Sequence, residues 1–502
     1  MGLVARSVVL VALTASFAAA QNSAEQRTAR YMESIRQQPP LLLAFLRGMP
    51  KGGDLHNHLA GAVYAESLID YAADNGMCVD RTTAFVIAPP CDSSCERFTS
   101  KPRASCAYGD QVLYNSLIDA WSMRNFKTED ESGHDHFFAT FDKFFPAMIN
   151  HNGDAIAEAA ARAAEDHLQY VELMHTADGN AAAQLGAKAG WDDDLGKLRQ
   201  KLVDGGMAEV VAETRAQLNL DEMRMRSVLR CGTKNEDDGC GVTVRYLYQV
   251  LRGLPKEQAF AQMVLGFELA KSDPRFVGLN LVMPEDWYTP MHDFDLHMKM
   301  LDYLHGVDPK IHIALHAGEL AMGLVPPEGL RFHIRESIER GHAERIGHGV
   351  DVMNEHDAMP LLTEMAQRRV LVEICLTSND VILGVRGKDH PLPAYRKYGV
   401  PVALATDDEG VSRIDLTHEY VRAVEAYGLS YADLKEMARE SLEHSFLPGL
   451  SLWSKHFQMV EACVAAGASS SCKKFLSANE RARVQWKLEE EFAEFEKGVA
   501  SR

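Results

Sequence analysis

The sequence lacks three features that would each point to a particular class of protein. Beyond its first 20 residues, it has no apolar run long enough to cross a bilayer as a helix. It lacks a basic excess, since 71 Asp and Glu outnumber 52 Lys and Arg and give a formal net charge of -19. That balance argues against a polyanionic partner such as DNA, RNA or an anionic membrane. A small, neutral substrate fits this charge better. The sequence also lacks low-complexity tracts and repeats, so we expect a globular protein.

The N-terminus has the features of an export signal. It carries one positive charge at Arg6, an apolar run from Val8, and small residues from Ala18 to Ala20. This arrangement is typical of a signal peptide over residues 1–20, with cleavage after Ala20. A buried helix or a membrane anchor is the alternative, but the run is short for a membrane span and has no polar face. We therefore expect a secreted or periplasmic protein.

Nine cysteines follow that segment, and an oxidising compartment would pair most of them. Four lie close together in the chain and two flank a polar loop: Cys78, Cys91, Cys95 and Cys106, then Cys231 and Cys240. A zinc knuckle is the alternative for Cys91 and Cys95, but their spacing has no second matching pair, so disulfides are the better interpretation. The odd total leaves a thiol unpaired or intermolecular, and Cys375 in the run VLVEIC is the most core-like.

Residues 49–450 alternate short β-rich runs with helical patterns. This alternation is typical of parallel βα units, and the runs from DLHNHL to VPVALA predict an α/β fold, a closed (β/α)8 barrel of the TIM type. Residues 76–135 interrupt it with cysteine, proline and polar residues, which predicts an insertion. Residues 21–48 and 451–502 are predicted to be helical extensions that either pack on the barrel or form an oligomer contact, such as a homodimer interface.

Histidines stand on two of the predicted strands. His56 and His58 are two residues apart in DLHNHL, so both side chains project to one face of the strand and can hold one ion. In KIHIALHAGE, His316 ends a strand and Glu319 follows just beyond it, at the barrel mouth where catalytic groups gather. Taken alone, DLHNHL is also compatible with a pair of surface histidines. KIHIALHAGE alone is also compatible with a core histidine beside a surface glutamate.

Two further strand ends carry polar residues to the same rim. In VPVALATDD, the adjacent carboxylates of Asp407 and Asp408 are costly unless a cation or ligand lies beside them, although a solvated turn is the alternative. RIGHG places His348 at another strand end. Three histidines and one aspartate form a mononuclear zinc set: His56, His58, His316 and Asp407. The set leaves a position for a water molecule, and the ion would lower the pKa of that water. Glu319, His348 and Asp408 remain for proton transfer and substrate polarisation.

Together and in this order, these motifs resemble those of the adenosine deaminase family, in the metal-dependent amidohydrolase superfamily. The matching segments are MPKGGDLHNHL, HAGE, RIGHG, the TSN of residues 377–379, and ATDD, which span about residues 49–420. The MPKGG lead-in, the export signal and the cysteine-bearing insertion look more like the secreted adenosine deaminase-related growth factor branch than the compact cytosolic enzymes. The resemblance implies a secreted zinc enzyme that deaminates adenosine, or 2'-deoxyadenosine, to inosine and ammonia.

The resemblance also implies a role for each site residue. One zinc ion per chain would be held by the four ligands named above, and Asp407 would also orient the water. Glu319 would carry a proton to purine N1, and His348 would position the water and stabilise the tetrahedral intermediate. Asp408 would hydrogen-bond to N7.

Two positions depart from the family pattern where the pocket would hold the substrate. The acidic residue with which the family contacts the ribose hydroxyls is missing, and Ala60 stands there. A glycine whose backbone contacts purine N3 aligns with Met283, whose N–H remains available but whose side chain would narrow the pocket. Glu285 and Asp286 are candidates to supply polar contacts to the substrate instead.

Other functions stay open at this point. One alternative is an aminohydrolase for a modified adenine nucleoside such as 5'-methylthioadenosine, or for another amino-heterocycle. The sequence departs from the adenosine deaminase pattern only at the sugar-side positions, which leaves this alternative open. An extracellular binding or signalling factor would keep the barrel and use the insertion and helical ends for partners. A binuclear amidohydrolase is disfavoured, because no lysine stands at a middle strand end such as GLNLV to bridge two metals.

Overall fold

The computed structural model describes residues 24–464 and 469–500, so the predicted signal peptide lies outside the described residues. The strands are β1 (Gly52–His58), β2 (Cys78–Val79), β3 (Val86–Ile87), β4 (Leu168–His175), β5 (Thr243–Leu251), β6 (Phe276–Val282), β7 (His312–Ala317), β8 (Arg345–His348), β9 (Leu371–Ile374) and β10 (Val402–Leu404). β1 and β4 to β10 form one eight-stranded sheet in chain order, and neighbouring strands are parallel.

This sheet curves into a nearly closed barrel. Beyond the end of β10, the N–H of Asp407 donates to the carbonyl of His56 (2.8 Å), and the N–H of His58 donates to the carbonyl of Asp407 (3.0 Å). These two bonds join the last strand to the first. The predicted (β/α)8 barrel is confirmed, and its closure places β1 and the segment after β10 side by side.

Helices surround the barrel and connect its strands. Residues 24–35 are helical. The other α-helices are Pro39–Arg47, Leu59–Ala62, Ala65–Asp74, Gln111–Ala120, Gly133–Phe144, Asn152–Glu165, Ala181–Ala189, Leu195–Leu202, Ala208–Val228, Lys256–Ser272, Tyr288–His292, Phe294–Val307, His333–Glu339, Ala358–Arg368, Leu376–Leu383, Leu392–Tyr398, Glu409–Ser412, Leu416–Tyr427, Tyr431–Glu443, Glu461–Val464, Ser470–Ala478 and Glu480–Ala500. β4 and β6 are buried along their whole length because helices cover the outside of the barrel.

The segment between β1 and β4 contains the cysteine-bearing insertion. β2 and β3 pair antiparallel there, and disulfides join Cys78 to Cys91 and Cys95 to Cys106. Two more disulfides lie elsewhere in the described residues, Cys231–Cys240 and Cys463–Cys472, and the buried Cys375 is unpaired. The predictions of disulfides in the insertion and of Cys375 as the odd thiol are confirmed.

The helical extensions pack on the barrel and on each other. The rings of Phe45 and Phe495, one from each extension, have centroids 5.2 Å apart. Lys435, on the last barrel helix, binds Glu25 of the first extension (2.9 Å) and Glu496 of the second (2.6 Å). In the part of the chain that the structure describes, no helix is both long enough and apolar enough to span a membrane.

Candidate active site

Three residues at the carboxyl ends of the barrel strands have a left-handed backbone. Met283 follows β6 (φ 86°), His348 ends β8 (φ 66°) and Asp407 follows β10 (φ 61°). Residues other than glycine rarely adopt this conformation, and those that do concentrate at functional sites, where the surrounding structure holds them. These three residues lie at the same end of the barrel, and together with the side chains described next they support a candidate site there.

Three imidazole nitrogens and one carboxylate oxygen converge here. Nε2 of His316 lies 3.0 Å from Nε2 of His56 and 3.2 Å from Nε2 of His58. Oδ1 of Asp407 lies 3.3 Å and 3.2 Å from the same two nitrogens, while Ser378 donates to its Oδ2 (2.6 Å). Tetrahedral zinc, with ligands at about 2.0–2.1 Å, separates its ligand atoms by about 3.3–3.4 Å. These four distances are close to that spacing, so the predicted ligands form a cluster that could hold one metal ion.

The hydrogen bond at Nδ1 of each of these histidines determines the state of its Nε2. Each Nδ1 lies at hydrogen-bond distance from a side-chain oxygen: His56 with Glu373 (2.6 Å), His58 with Gln249 (2.9 Å) and His316 with Asn280 (2.8 Å). With a proton on Nδ1, each imidazole in its neutral form presents a lone pair at Nε2. Burial lowers the pKa of His56, but hydrogen bonds to Asp407 and Glu373 outweigh burial and raise it to about 10, so a bound cation would take the place of that proton. Three imidazole nitrogens and a carboxylate form a donor set that fits a divalent cation such as zinc.

A buried ion-pair network orients His56. Glu373 on β9 is paired with Arg345 on β8 (2.7 Å), which also pairs with Glu172 on β4 (2.5 Å). Burial tends to raise the pKa of Glu373, but Arg345 and His56 hold it below its ordinary value. The carboxylate therefore stays ionised and increases the basicity of His56 as a ligand.

A chain of hydrogen bonds sets the tautomer of His348. The N–H of Leu392 donates to Nδ1 of His390 (3.1 Å), whose Nε2–H donates to Oδ1 of Asn379 (3.0 Å). Nδ2 of Asn379 therefore donates to Nδ1 of His348 (3.0 Å), which places the His348 proton on Nε2. Burial lowers the pKa of His348 to about 3, so the ring is neutral. Its Nε2, 3.9 Å from Asp407, has no hydrogen-bond partner among the described residues and is free to donate to a bound oxygen.

Two more carboxyl groups, of Glu319 and Asp408, lie in the cavity beside the cluster. Burial raises the pKa of Glu319 well above its ordinary value, and Asp407 raises it further. Burial also raises the pKa of Asp408 to about 8. A Cβ at Gly61 would lie 1.6 Å from Oδ1 of Asp408, so this glycine leaves the room that the carboxyl group occupies. Buried carboxyl groups of this kind can exchange a proton with a bound substrate.

The cavity above the cluster has a polar floor and a largely apolar wall. The floor contains His58, His316, Glu319, Asp407 and Asp408. Large apolar side chains of the wall include Phe137, Phe138, Phe141, Phe145, Met283 and Trp287. Among the described residues that line the cavity there is no lysine or arginine, and the charged residue outside the floor is Asp142. The helix Gly133–Phe144 thus contributes three of the aromatic side chains, Phe137, Phe138 and Phe141, and the carboxylate of Asp142.

The structure separates the residues that the sequence analysis placed near the substrate. Met283 and Ala60 line the cavity. Glu285, which is 2% exposed, lies behind the wall and accepts a hydrogen bond from a backbone N–H (2.9 Å). Asp286 is paired with His134 (2.9 Å). Neither acid is among the described cavity-lining residues, so Glu285 has a supporting position in place of the predicted substrate contact.

Sequence reasoning missed the polar residues that orient the metal-site histidines. Gln249, Asn280 and Glu373 each stand inside an apolar strand, in LYQVL, GLNLV and VLVEIC. A polar side chain in such a run needs a partner once it is buried, and that requirement is the signal that points to them. The aromatic wall gave no such signal, because HFFATF is equally compatible with the core face of any helix.

Comparison with known proteins gives consistent matches. A family model described as Adenosine deaminase matches residues 106–451. The adenosine deaminase of Salmonella dublin is 41% identical over 137 residues, which cover 27% of this chain and 38% of that protein. The enzyme of Salmonella newport is 40% identical over the same shares. The alignment with these curated relatives therefore spans well under half of their length.

Solved structures share the fold at low identity. The adenine deaminase from Arthrobacter aurescens superposes with a TM-score of 0.50 at 18% identity, covering 87% of this chain and 98% of that chain. The N6-mAMP deaminase from arabidopsis superposes with a TM-score of 0.51 at 19% identity, covering 89% of this chain and 99% of that chain. A zinc-bound amidohydrolase from Burkholderia ambifaria superposes with a TM-score of 0.52 at 15% identity, covering 92% of this chain and 95% of that chain. At such identities the likeness establishes the barrel fold alone.

Proposed function

Since this chain belongs to the adenosine deaminase family, we propose that it is a secreted, zinc-dependent enzyme that deaminates adenosine or 2'-deoxyadenosine and releases ammonia. One observation carries the proposal: three imidazole lone pairs and a carboxylate converge at the floor of a cavity that also holds buried carboxyl groups. An apolar wall with a few polar groups at one end suits a purine ring. The disulfides support export to an oxidising compartment.

Zinc, held by His56, His58, His316 and Asp407, would supply a Lewis acid that lowers the pKa of a water molecule toward neutrality. Glu319 donates its proton to purine N1 while the oxygen of water adds to C6, which becomes electrophilic as N1 is protonated. The Nε2–H of His348 donates a hydrogen bond to the oxygen added at C6, and Asp408 hydrogen-bonds to N7. One proton of the added water restores the Glu319 carboxyl group and the other passes to the amino group. The C6–N bond then breaks, ammonia leaves, and a 6-oxo purine that keeps the proton on N1 remains.

The charge of the cavity favours a nucleoside over a nucleotide. Proteins bind a phosphate with arginine, lysine or helix N-termini. The described lining has no lysine or arginine, and Asp142 on the wall would repel a phosphate. The arabidopsis neighbour is named for a nucleotide substrate, and this chain would need a cation that the lining does not supply. An uncharged sugar is therefore the better fit.

A modified nucleoside such as 5'-methylthioadenosine is the second candidate substrate. Ala60, which lines the cavity, provides no carboxylate to accept hydrogen bonds from ribose hydroxyls. Phe137, Phe141 and Trp287 give the wall an apolar surface that would bury a 5'-alkylthio group. The same barrel and the same floor residues would perform the reaction on either nucleoside.

The test is ammonia release from adenosine, 2'-deoxyadenosine, 5'-methylthioadenosine, adenine and AMP, with zinc measured on the same sample. We expect the nucleosides to be deaminated, and AMP to react with a kcat/KM lower by about 100-fold or more, because like charges in an interface cost several kcal/mol. His316→Ala is the control and should lose both zinc and activity. Preference for AMP or adenine, or no ammonia from any nucleoside, would overturn the proposal.

A further inference from the structure

Arg252, which no role assigned so far explains, connects the ends of three barrel strands. It directly follows β5 and is 3% exposed. Its Nε and Nη2 donate to the carbonyl of Met283 beyond β6 (3.1 and 3.0 Å), and its Nη1 donates to the carbonyl of His316 on β7 (3.2 Å). One guanidinium therefore holds the backbone at the carboxyl ends of β6 and β7, at the barrel mouth.

Glu285 extends this arrangement to the loop that carries Glu319. Its Oε1 lies 3.5 Å from Nη2 of Arg252, and its Oε2 accepts a hydrogen bond from the N–H of Gly318 (2.9 Å). Gly318 directly precedes Glu319 and has a φ of 74°. Arg252 and Glu285 thus hold the residues before Glu319 from two sides, through the carbonyl of His316 and the N–H of Gly318.

General stabilisation is a weak explanation for such a pair. Taking both charges out of water costs free energy that the attraction between them does not reliably repay, and apolar side chains of similar volume often stabilise a protein equally well. The planar fork of arginine, by contrast, can bind two carbonyl groups at fixed angles, which a lysine ammonium cannot do. The value of the pair therefore lies in the geometry that it imposes on its neighbours.

We propose that Arg252 and Glu285 are positioning residues for the deamination proposed above, on which this inference rests. They fix the Gly318–Glu319 segment so that the Glu319 carboxyl group reaches purine N1, and they hold Met283 in its left-handed conformation at the cavity wall. A displacement of a reacting group by about 1 Å can lower a rate by about 100-fold. Neither side chain lines the cavity or belongs to the proposed ligand set, so the pair acts through the backbone of Met283, His316 and Gly318.

The experiment compares Arg252→Lys and Glu285→Gln with the wild type. Lysine keeps the charge but loses the fork, so kcat for adenosine should fall by about 100-fold. Glutamine can still accept from Gly318 but loses the ion pair, and about a tenfold loss is expected. Both variants should keep one zinc per chain and a KM within a few-fold of the wild type. Arg275→Lys is the matched control with unchanged activity, because Arg275 is ion-paired just before β6, at the opposite end of the barrel.

A double variant distinguishes positioning from a general structural effect. If Arg252 acts through Glu319, Arg252→Lys should cost far less in a Glu319→Gln background than it costs alone, because the group that it positions can no longer deliver a proton. Losses that multiply independently would overturn the inference, as would variants with the kcat of the wild type. Should Arg252→Lys fail to fold, Glu285→Gln and its own double variant decide the outcome. A wild type without deaminase activity would instead be a failure of the proposed function.

Discussion

Glu319→Gln separates proton delivery from metal binding and substrate shape. Burial raises the pKa of Glu319 well above its ordinary value and so favours the protonated form that a general acid needs. Glutamine keeps the shape and an N–H donor, but it cannot transfer a proton to purine N1. General acid catalysis contributes about 10²- to 10⁴-fold, so kcat should fall by that factor, which corresponds to about 2.7–5.4 kcal/mol in activation free energy.

The assay is steady-state ammonia release from adenosine, with zinc content and melting temperature measured on the same preparation. Glu355→Gln is the matched control, since Glu355 is also buried (5% exposed) and accepts from the N–H of Ile334 (2.6 Å), but does not line the cavity. We expect one zinc per chain in both variants and a large loss of kcat in Glu319→Gln alone. Near-normal turnover in that variant would refute Glu319 as the acid, and loss of zinc would show that its role is structural.

Three further predictions concern the cavity and its surroundings. Ala60→Asp should raise the ratio of kcat/KM for adenosine to that for 5'-methylthioadenosine by about tenfold or more, because the new carboxylate can accept a charge-assisted hydrogen bond from the ribose. A wild type that already rejects the 5'-modified substrate by orders of magnitude would contradict this. Gly61→Ala should lower kcat/KM with zinc retained. The added Cβ would lie 1.6 Å from Oδ1 of Asp408, so the carboxyl group would have to move. Unchanged kinetics would exclude a role for Asp408. Burial lowers the pKa of His134, but hydrogen bonds to Asp286 and Asp135 outweigh burial and raise it. Its ion pair therefore stabilises the helix Gly133–Phe144 fully below the unfolded pKa of about 6.5, and that contribution is lost as the pH rises through the folded value; hydrogen-exchange protection of this helix should fall over that range in the wild type but not in His134→Gln.

The barrel and the metal cluster were predictable because both follow from local rules. Apolar runs at regular spacing define parallel strands, and the carboxyl ends of those strands must meet at one rim. His316 and Asp407 are 91 positions apart in the sequence numbering, yet each follows an apolar strand, so the barrel topology alone brings them together. The tight H-x-H pair then supplies two more ligands on a single strand face.

The residues that surround the cluster depend on tertiary packing that no local pattern encodes. Arg252 stands in the stretch VLRGLP, which is equally compatible with a surface loop. Glu285 was a candidate for a polar contact to the substrate, but its buried side chain accepts a hydrogen bond from the N–H of Gly318, whereas Pro284 and Trp287 around it line the cavity. Most of the aromatic wall comes from residues 137–145, just after the insertion, and their position over the barrel depends on long-range contacts.

The most direct test of the central claim is titration of metal-free protein with zinc while adenosine deamination is followed. The four converging ligand atoms predict that activity is absent without metal, rises linearly with added zinc and stops rising at one equivalent per chain. His316→Ala should show no such rise. Full activity in the metal-free protein, or a rise that continues to two equivalents, would contradict the account.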